Sequence, residues 1–432
     1  MKLFQQLLVA GAAASLLAPL ASQATEVNID DMNSYSSSKS SKIKFDSNTF
    51  SNEDFAVLKG RVDGLEAQQN NFEAGSFSDT TTLDGKAVFS VGAIDWSDAT
   101  KLDEREDIGG LLSDAVLFQY MYQMNLNTSF TGDDNLYVRL KTGNNPSATG
   151  AEKAFGDKRY GTYLSATNTK SDALTVDKMW YTMPVGDKTT VFIGPKIENY
   201  YMHGTTPSIY QPVLKQFTLG GNASAYGAST SPGAGISFDV GNGVAISSNF
   251  TTQSGNSTGM LTDEGKTSWA TQIGYTQPRY SVSAIVNQKY NGWTDSYFTT
   301  PNGKARPVDG DSTNIGLRAW WRPAETGTAT PSISVGYDTS ETDAATNSNT
   351  DMYFVGLNWQ DIFQSDDRIG LAFGQPQTRE DEVNTPFAWE AYYSFKMNDS
   401  VEITPTVFGA TDRDGLVASD LTGVVVNTTF KF

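Results

Sequence analysis

Apolar and polar residues alternate along most of the chain. Residues 423–432 put Val424, Val426, Thr428, Phe430 and Phe432 on one side and Val425, Asn427, Thr429 and Lys431 on the other. A period of two is typical of a β-strand that meets an oily phase on one face and water on the other. Residues 116–130 keep the same alternation for longer than the about five or six residues of a soluble strand. That length suits a tilted membrane-crossing strand, which needs about nine to eleven residues.

The alternating segments predict sixteen strands. They start near residues 82, 116, 134, 173, 189, 233, 243, 268, 279, 313, 331, 352, 368, 387, 400 and 423. Short turns alternate with long loops, and the long ones cover 96–115, 143–172, 197–232, 253–267, 289–312, 339–351, 375–386 and 410–422. An up-and-down membrane barrel with short periplasmic turns and long external loops has this rhythm. We therefore predict an all-β fold, a transmembrane antiparallel barrel of about sixteen strands over residues 80–432, with a large soluble all-β adhesin as the alternative.

Three segments precede the predicted barrel. Residues 1–24 have the charged start, apolar run and small-x-small motif of a secretory signal peptide, so we expect the chain to be exported. Residues 25–52 are polar without periodicity, which is typical of a flexible linker. Residues 53–74 space apolar side chains by three and four, which predicts a short periplasmic helix. That helix is either a small coiled coil joining several chains or a single helix that caps or plugs the barrel.

Composition narrows the chemistry. The 432 residues include no cysteine and one histidine, His203, which excludes thiol catalysis, disulfides, and metal sites built from cysteine or several histidines. A net charge of −18 argues against a nucleic-acid partner. The mean hydropathy of −0.38 is that of a soluble protein. A membrane barrel can have the same value, because its apolar lipid-facing residues alternate with polar lumen-facing residues. We predict no cofactor and no metal.

Several motifs resemble those of cyanobacterial outer-membrane porins, the group related to carbohydrate-selective porins and often labelled iron uptake porins. They are Glu53–Ala67 running into Thr81–Phe89, Lys178–Pro184 followed by Val191–Lys196, and the terminal Phe432, which is similar to a barrel assembly signal. The resemblance implies a trimeric barrel of sixteen strands in the outer membrane. Such porins commonly carry a surface-layer-homology domain before the coiled coil. Only the linker 25–52 stands there, so peptidoglycan anchoring is not implied.

In a barrel, the side chains opposite the oily face line the lumen. By parity, the pore-lining candidates are Lys86, Gln119, Gln123, Arg139, Lys141, Lys196, Glu198, Arg318, Trp320, Glu390, Tyr392 and Glu402, joined by Asp84, Lys396 and Lys431. Basic residues outnumber acidic ones in this set, while acidic runs fall in external loops. One hypothesis is an acidic mouth over a basic wall that favours small anions. The alternative is that inward charges pair across strands and cancel.

The longest predicted loop, 197–232, is the third external one. The third loop of sixteen-stranded general porins commonly folds inward, so the resemblance implies that this loop narrows the channel. Its constriction candidates are Tyr200, Tyr201, His203, Tyr210, Lys215 and Phe217. The alternative is a loop that lies across a trimer interface.

The sequence therefore predicts an outer-membrane porin, a passive channel for small hydrophilic solutes and inorganic ions that catalyses no reaction. Its expected partners are membrane lipid and two further copies in a homotrimer. One alternative is a cell-surface protein that contacts phage or cells through its acidic loops. Another is a barrel hydrolase that uses His203, which lacks a neighbouring carboxylate in the sequence and is expected to be an ordinary loop residue.

Overall fold

A computed structural model describes residues 80–96, 116–145, 155, 162–168, 172–221, 223–253, 257–293, 310–343, 349–375, 384–412 and 420–432. The predicted signal peptide, linker and helix lie outside these residues. No helix in the described part of the chain has both the length and the apolar character needed to cross a membrane.

Sixteen strands make up most of the described chain. They are β1 (Thr81–Trp96), β2 (Leu117–Thr128), β3 (Asn135–Gly143), β4 (Thr175–Val185), β5 (Thr189–Ile197), β6 (Ser231–Gly241), β7 (Val244–Gln253), β8 (Lys266–Gln277), β9 (Tyr280–Tyr290), β10 (Ser312–Trp321), β11 (Ser332–Thr342), β12 (Asn349–Gln360), β13 (Arg368–Gln375), β14 (Phe387–Asn398), β15 (Val401–Thr411) and β16 (Leu421–Lys431). The predicted fold class is confirmed. The largest error in a strand start is at β12, predicted near 352 and beginning at Asn349.

The strands form one closed antiparallel barrel in which each pairs with its neighbours along the chain. β1 pairs with β16, for example Val88 with Thr429, and so closes the sheet. Closure leaves no free strand edge, and this lets a sheet satisfy its backbone hydrogen bonds inside a membrane.

Strand parity separates the two faces of the wall. On β9, Val282 and Val286 are exposed by 50% and 41%, whereas Ser283 and Asn287 between and beside them are buried. An apolar exposed face and a polar enclosed face are the pattern of a barrel that has lipid outside and polar space inside. The enclosed set is therefore the lumen face of β9.

The short connections are held by local polar contacts. Asp134 accepts hydrogen bonds from the amides of Phe130 and Thr131 at 2.8 Å. The β6–β7 turn has Asn242 at φ 54 between two glycines of positive φ, a conformation that favours glycine and asparagine. These turns reverse the chain tightly, as an up-and-down barrel requires.

Candidate functional site in the barrel lumen

The long connection between β5 and β6 folds into the lumen. We call residues 198–230 loop 3; it contains the 3-10 helices Asn199–Met202 and Lys215–Gly220 and a short helix, α1 (Ala223–Tyr226). All of loop 3 but residue 222 is described. The inward fold that the resemblance implied is what the structure has.

Inward polar side chains from seven consecutive strands, β8 to β14, hold loop 3 against one side of the wall. The contacts are Gln272 with the Thr205 amide, Asn287 with the Ala225 carbonyl, Trp320 with the Thr206 carbonyl, Ser334 with the Ile209 amide, Asn358 with the Gln211 amide, Arg368 with the Gln211 side chain, and Glu390 with the Leu214 amide. All but the Arg368 contact join loop backbone to wall side chains, and they satisfy backbone groups that would otherwise be buried without partners.

Glu390 is a fully enclosed anchor, with no exposed surface. Its Oε1 accepts from the Tyr210 hydroxyl at 2.8 Å and the Val213 amide at 3.2 Å, and its Oε2 accepts from the Leu214 amide at 2.7 Å. A buried carboxylate that accepts three hydrogen bonds is a structural clamp.

Arg318 and Asp338 form a buried ion pair at 2.7 Å on the same side of the lumen. The Arg318 Nε also donates to the Leu219 carbonyl of loop 3 at 2.8 Å, and its guanidinium lies 5.0 Å from the centre of the Tyr226 ring. This pair therefore fastens the loop and adds no net charge to the channel.

A second segment also folds inward, from the connection between β3 and β4. Leu164 forms an antiparallel bridge with Leu214 of loop 3. The Ser165 amide donates to the Val213 carbonyl and the Lys215 amide donates to the Tyr163 carbonyl, both at 2.8 Å. Sequence reasoning missed this segment, although apolar residues in a polar loop were a usable signal.

Apolar side chains on the lumen face join the two inward segments into one cluster. Phe354 on β12 packs on Tyr210 and Phe217, and Phe408 on β15 packs on Phe155, with ring centres 5.8 to 6.3 Å apart. Parity marks Phe354 and Phe408 as inward, but the rule that inward residues are polar fails here because loops, rather than water, cover them.

Basic side chains form a row on the lumen face of the strands where the barrel closes. In register across β16, β1, β2 and β3 lie Lys431, Lys86, Gln123 and Lys141, which we call the lysine row. Lys431 is paired with Glu402 at 2.7 Å. Within the described residues, neither Lys86 nor Lys141 forms an ion pair. Adjacent strands are about 4.8 Å apart, so the row concentrates positive charge on one patch.

Two other inward basic side chains are paired with carboxylates. Arg139 donates through Nε to Asp177 at 2.6 Å and reaches the Tyr201 hydroxyl at 3.1 Å. Lys178 pairs with Glu198 where loop 3 begins. Arg139 and Lys178 thus pair with carboxylates, whereas Lys86 and Lys141 form no ion pair within the described residues.

Three candidates from the sequence are placed differently from the prediction. Lys196 pairs across the sheet with Met179, and the next residue, Ile197, is enclosed. Lys196 therefore belongs to the outer face. Bulges at both edges of β5 change which residues of this strand face inward, and the parity rule did not account for them. Tyr210 and Phe217 are 6% and 3% exposed. They pack loop 3 onto the wall and do not border the channel.

The remaining candidates lie on the lumen side. Gln119 and Trp320 are buried there, Gln123 donates to Asn125 at 3.0 Å, Tyr392 donates to the Gln211 carbonyl at 2.6 Å, and Lys396 pairs with Asp366 at 3.2 Å. Asp84 accepts from Asn125, and Lys215 lies 5.5 Å from the centre of the Tyr163 ring. The Tyr200 and Tyr201 rings are tilted to each other with centres 4.2 Å apart. The predicted acidic runs 103–107 and 380–382 lie outside the described residues.

His203 is a packed loop residue. Its Nδ1 lies 3.0 Å from the Ser247 hydroxyl and 3.3 Å from the Asn249 amide, and burial lowers the pKa of His203 to about 3. Its Nε2 has no partner among the described residues, so no carboxylate orients the ring for catalysis. Nor do three or more His, Asp or Glu side chains gather into a metal site anywhere in the described chain.

Comparison with known proteins gives consistent results. Residues 49–409 match the family described as carbohydrate-selective porin, OprB family. An uncharacterized protein of Nostoc sp. is 26% identical, over 88% of this chain and 70% of the relative. An uncharacterized protein of Synechocystis sp. is 24% identical, over 81% and 68%. The high-pH structure of Pseudomonas putida OprB has a TM-score of 0.57 at 11% identity, over 82% of this chain and 94% of that one, which is a likeness of fold.

Proposed function

The chain belongs to the carbohydrate-selective porin, OprB family, and from that premise we propose that it passes small hydrophilic solutes and inorganic ions by passive diffusion, with a preference for anions. Its coarser role, an outer-membrane channel that catalyses no reaction, follows from the family. The family description names carbohydrates, so small sugars are among the proposed solutes.

One observation carries the anion preference. The lysine row gathers basic side chains on the lumen faces of β16, β1, β2 and β3. Lys86 and Lys431 are directly opposite each other, and like charges in that position repel. A passing anion relieves this repulsion, whereas a passing cation adds to it.

The protein around the lumen strengthens the effect. Fixed charges beside a narrow low-dielectric pore act at close range and are weakly screened. Because the inward basic side chains Arg139, Lys178, Arg318 and Lys431 each have a carboxylate partner, we assign the selectivity to Lys86 and Lys141.

The test is the reversal potential of the refolded channel in a planar bilayer under a salt gradient. We expect wild type to favour anions and Lys86→Gln/Lys141→Gln to lose several-fold in the permeability ratio of anion to cation. Lys196→Gln is the matched control, because it removes a lysine charge from the outer face and should leave the ratio unchanged. A cation preference in wild type, or an unchanged ratio in the double variant, contradicts the proposal.

The assembly is proposed to be a homotrimer, exported with residues 1–24 as its signal peptide and with the helix at 53–74 in the periplasm. Current steps in multiples of three in the same recordings would support the trimer. Swelling of liposomes in an isotonic sugar solution tests passage of uncharged solutes, and impermeability to small sugars would restrict the channel to ions.

A further inference from the structure

Two lysines of the lysine row flank a glutamine on the lumen face. Lys86 on β1 lies directly opposite Gln123 on β2, and Gln123 lies directly opposite Lys141 on β3. Adjacent strands are about 4.8 Å apart, so the two lysine backbones are separated by about 10 Å. Because each ammonium group ends a flexible four-carbon side chain, both can reach one small ion above Gln123.

Gln123 offers a neutral donor between the two lysines. Its amide nitrogen donates to Asn125 Oδ1 at 3.0 Å, and the Tyr137 hydroxyl donates to the same oxygen at 2.9 Å. A primary amide carries two hydrogens, and the second hydrogen of Gln123 has no acceptor among the described residues. It remains for an oxygen of a ligand that lies between the lysines.

Three carboxylates lie around the row, and each has another partner. Asp177 pairs with Arg139, and Glu402 pairs with Lys431. Asp84 accepts hydrogen bonds from the amide groups of two asparagines. The two lysines that flank Gln123 form no ion pair with any described residue, so their charges have no counter-ion in that part of the chain.

The surroundings strengthen the effect of these charges. Val88 and Met121 follow Lys86 and Gln123 on the same face of β1 and β2, and each is 1% exposed. This apolar step excludes water on one side of the row, and charges beside low-dielectric material are weakly screened. Loop 3 adds positive charge, because its Lys215 interacts electrostatically with a lysine of the row. Both effects favour a ligand that carries more than one negative charge.

We propose that Lys86, Gln123 and Lys141 form a binding site for a small divalent oxyanion, with Lys215 adding a third positive charge nearby. The inference rests on the proposed function for the place of this site in the conduction path, and it names the class of anion that is retained there. Two charge-assisted hydrogen bonds from the ammonium groups and one from the Gln123 amide hold the oxygens. Chloride carries a single charge and balances only one of the two lysines, so it passes without being retained.

The test is the single-channel chloride current of the refolded full chain as sodium sulfate is added on both sides at constant chloride. Sodium methanesulfonate is the matched probe, because it presents similar oxygens on sulfur with one negative charge instead of two. We expect sulfate to reduce the chloride current in a saturable manner. Methanesulfonate at the same concentration should leave the chloride current unchanged.

Variants locate the site. Lys86→Gln/Lys141→Gln should raise the half-blocking sulfate concentration several-fold, whereas Lys196→Gln, which removes a lysine from the outer face, should match wild type. Heat-modifiable gel mobility establishes folding first, and Lys86→Gln alone replaces the double variant if the latter does not fold. Calorimetric titration of the refolded protein with sulfate measures the same binding without conduction.

The outcomes separate this site from the proposed function. Equal block by methanesulfonate, no saturable block by sulfate, or an unchanged half-blocking concentration in the double variant overturns the site, even where the reversal potential still favours anions. A cation preference in wild type overturns the proposed function instead, and calorimetric sulfate binding that the double variant loses then still supports the site. Block by glycerol 3-phosphate as well as by sulfate supports phosphate esters as ligands, and block by sulfate alone supports inorganic oxyanions.

Discussion

A single side chain, Glu390, accepts hydrogen bonds from three groups of loop 3 within a site that excludes solvent. Charged side chains are rarely buried without such compensation, because removal from water disfavours the charged form. The three donors come from a stretch of loop with no regular structure to satisfy them. Glu390 therefore determines where the middle of loop 3 lies in the channel.

Replacing Glu390 by alanine should release that stretch. Two buried amides and one hydroxyl lose their acceptor, at a cost of about 1–3 kcal/mol for each group left unsatisfied. We expect Glu390→Ala to lower the temperature at which the folded band disappears on a gel and to increase current fluctuations in bilayer recordings. Glu390→Gln keeps one acceptor oxygen and should be milder.

The control for this prediction is Ser394→Ala on the same strand. Ser394 faces inward but donates to Glu402, not to loop 3. Ser394→Ala should leave the current fluctuations unchanged. If Glu390→Ala also leaves them unchanged, loop 3 is held by its other contacts.

Parity in the sequence could identify Glu390 as inward, since the apolar Trp389 and Ala391 flank it. Its partners could not be predicted in that way, because Leu214 lies 176 residues away along the chain. The same limit applies to Phe354 and Phe408, whose inward apolar rings make sense only once the loops that cover them are known. Lys196 was misassigned because a bulge changes strand parity without a clear mark in the sequence.

The strands were easier to predict than the contacts of their lumen side chains. Alternation of apolar and polar residues recurs in each strand, and a closed barrel requires every strand to pair with two neighbours. The short turns between strands have their own chemistry. Asp367 accepts from the amides of Ile362, Phe363 and Gln364 at 2.8 to 3.1 Å, much as Asp134 does in the β2–β3 turn. Each carboxylate satisfies amides that the tight turn leaves without backbone partners.

These turn carboxylates predict loss of stability in acid. The Tyr181 hydroxyl, with the Thr131 amide and the Ser129 hydroxyl, holds the pKa of Asp134 well below its usual value. Partial burial opposes ionisation of Asp367, but the three amides outweigh it and its pKa is also lowered. A carboxyl with a depressed folded-state pKa stabilises the fold above its unfolded pKa, about 4, and loses that contribution as pH falls further.

We therefore expect the thermal stability of wild type to decline as the pH is lowered below about 4. The double variant Asp134→Asn/Asp367→Asn should be less stable than wild type at pH 7, and its stability should change less with pH in acid. Tryptophan fluorescence during heating at several pH values measures both. Asp187→Asn alters an exposed carboxyl in the β4–β5 turn that accepts no hydrogen bond from described residues, so it should follow wild type. An equally steep acid loss in the double variant would assign the effect to other groups.

At the scale of the whole molecule, the described lumen has a part filled by inward segments and a separate row of basic side chains. Loop 3 and the segment around Leu164 meet through the Leu164–Leu214 bridge and share one apolar cluster with β1 and β12 to β16. The lysine row lies outside that cluster. Because so much apolar surface is buried between the two segments, we infer that they stay together while solutes pass beside them.

A disulfide across the Leu164–Leu214 bridge tests that inference. The sequence contains no natural cysteine, so no other disulfide can compete with the engineered one. The flanking hydrogen bonds make Leu164 and Leu214 a non-hydrogen-bonded antiparallel pair, with Cα atoms about 4.5 Å apart, within the range a disulfide spans. We expect oxidised Leu164→Cys/Leu214→Cys to conduct as its reduced form does, with single-cysteine variants correcting for the lost leucine packing. If oxidation lowered conductance and a reductant restored it, separation of the two segments would be part of the open state, and the passage would run between them instead of along the lysine row.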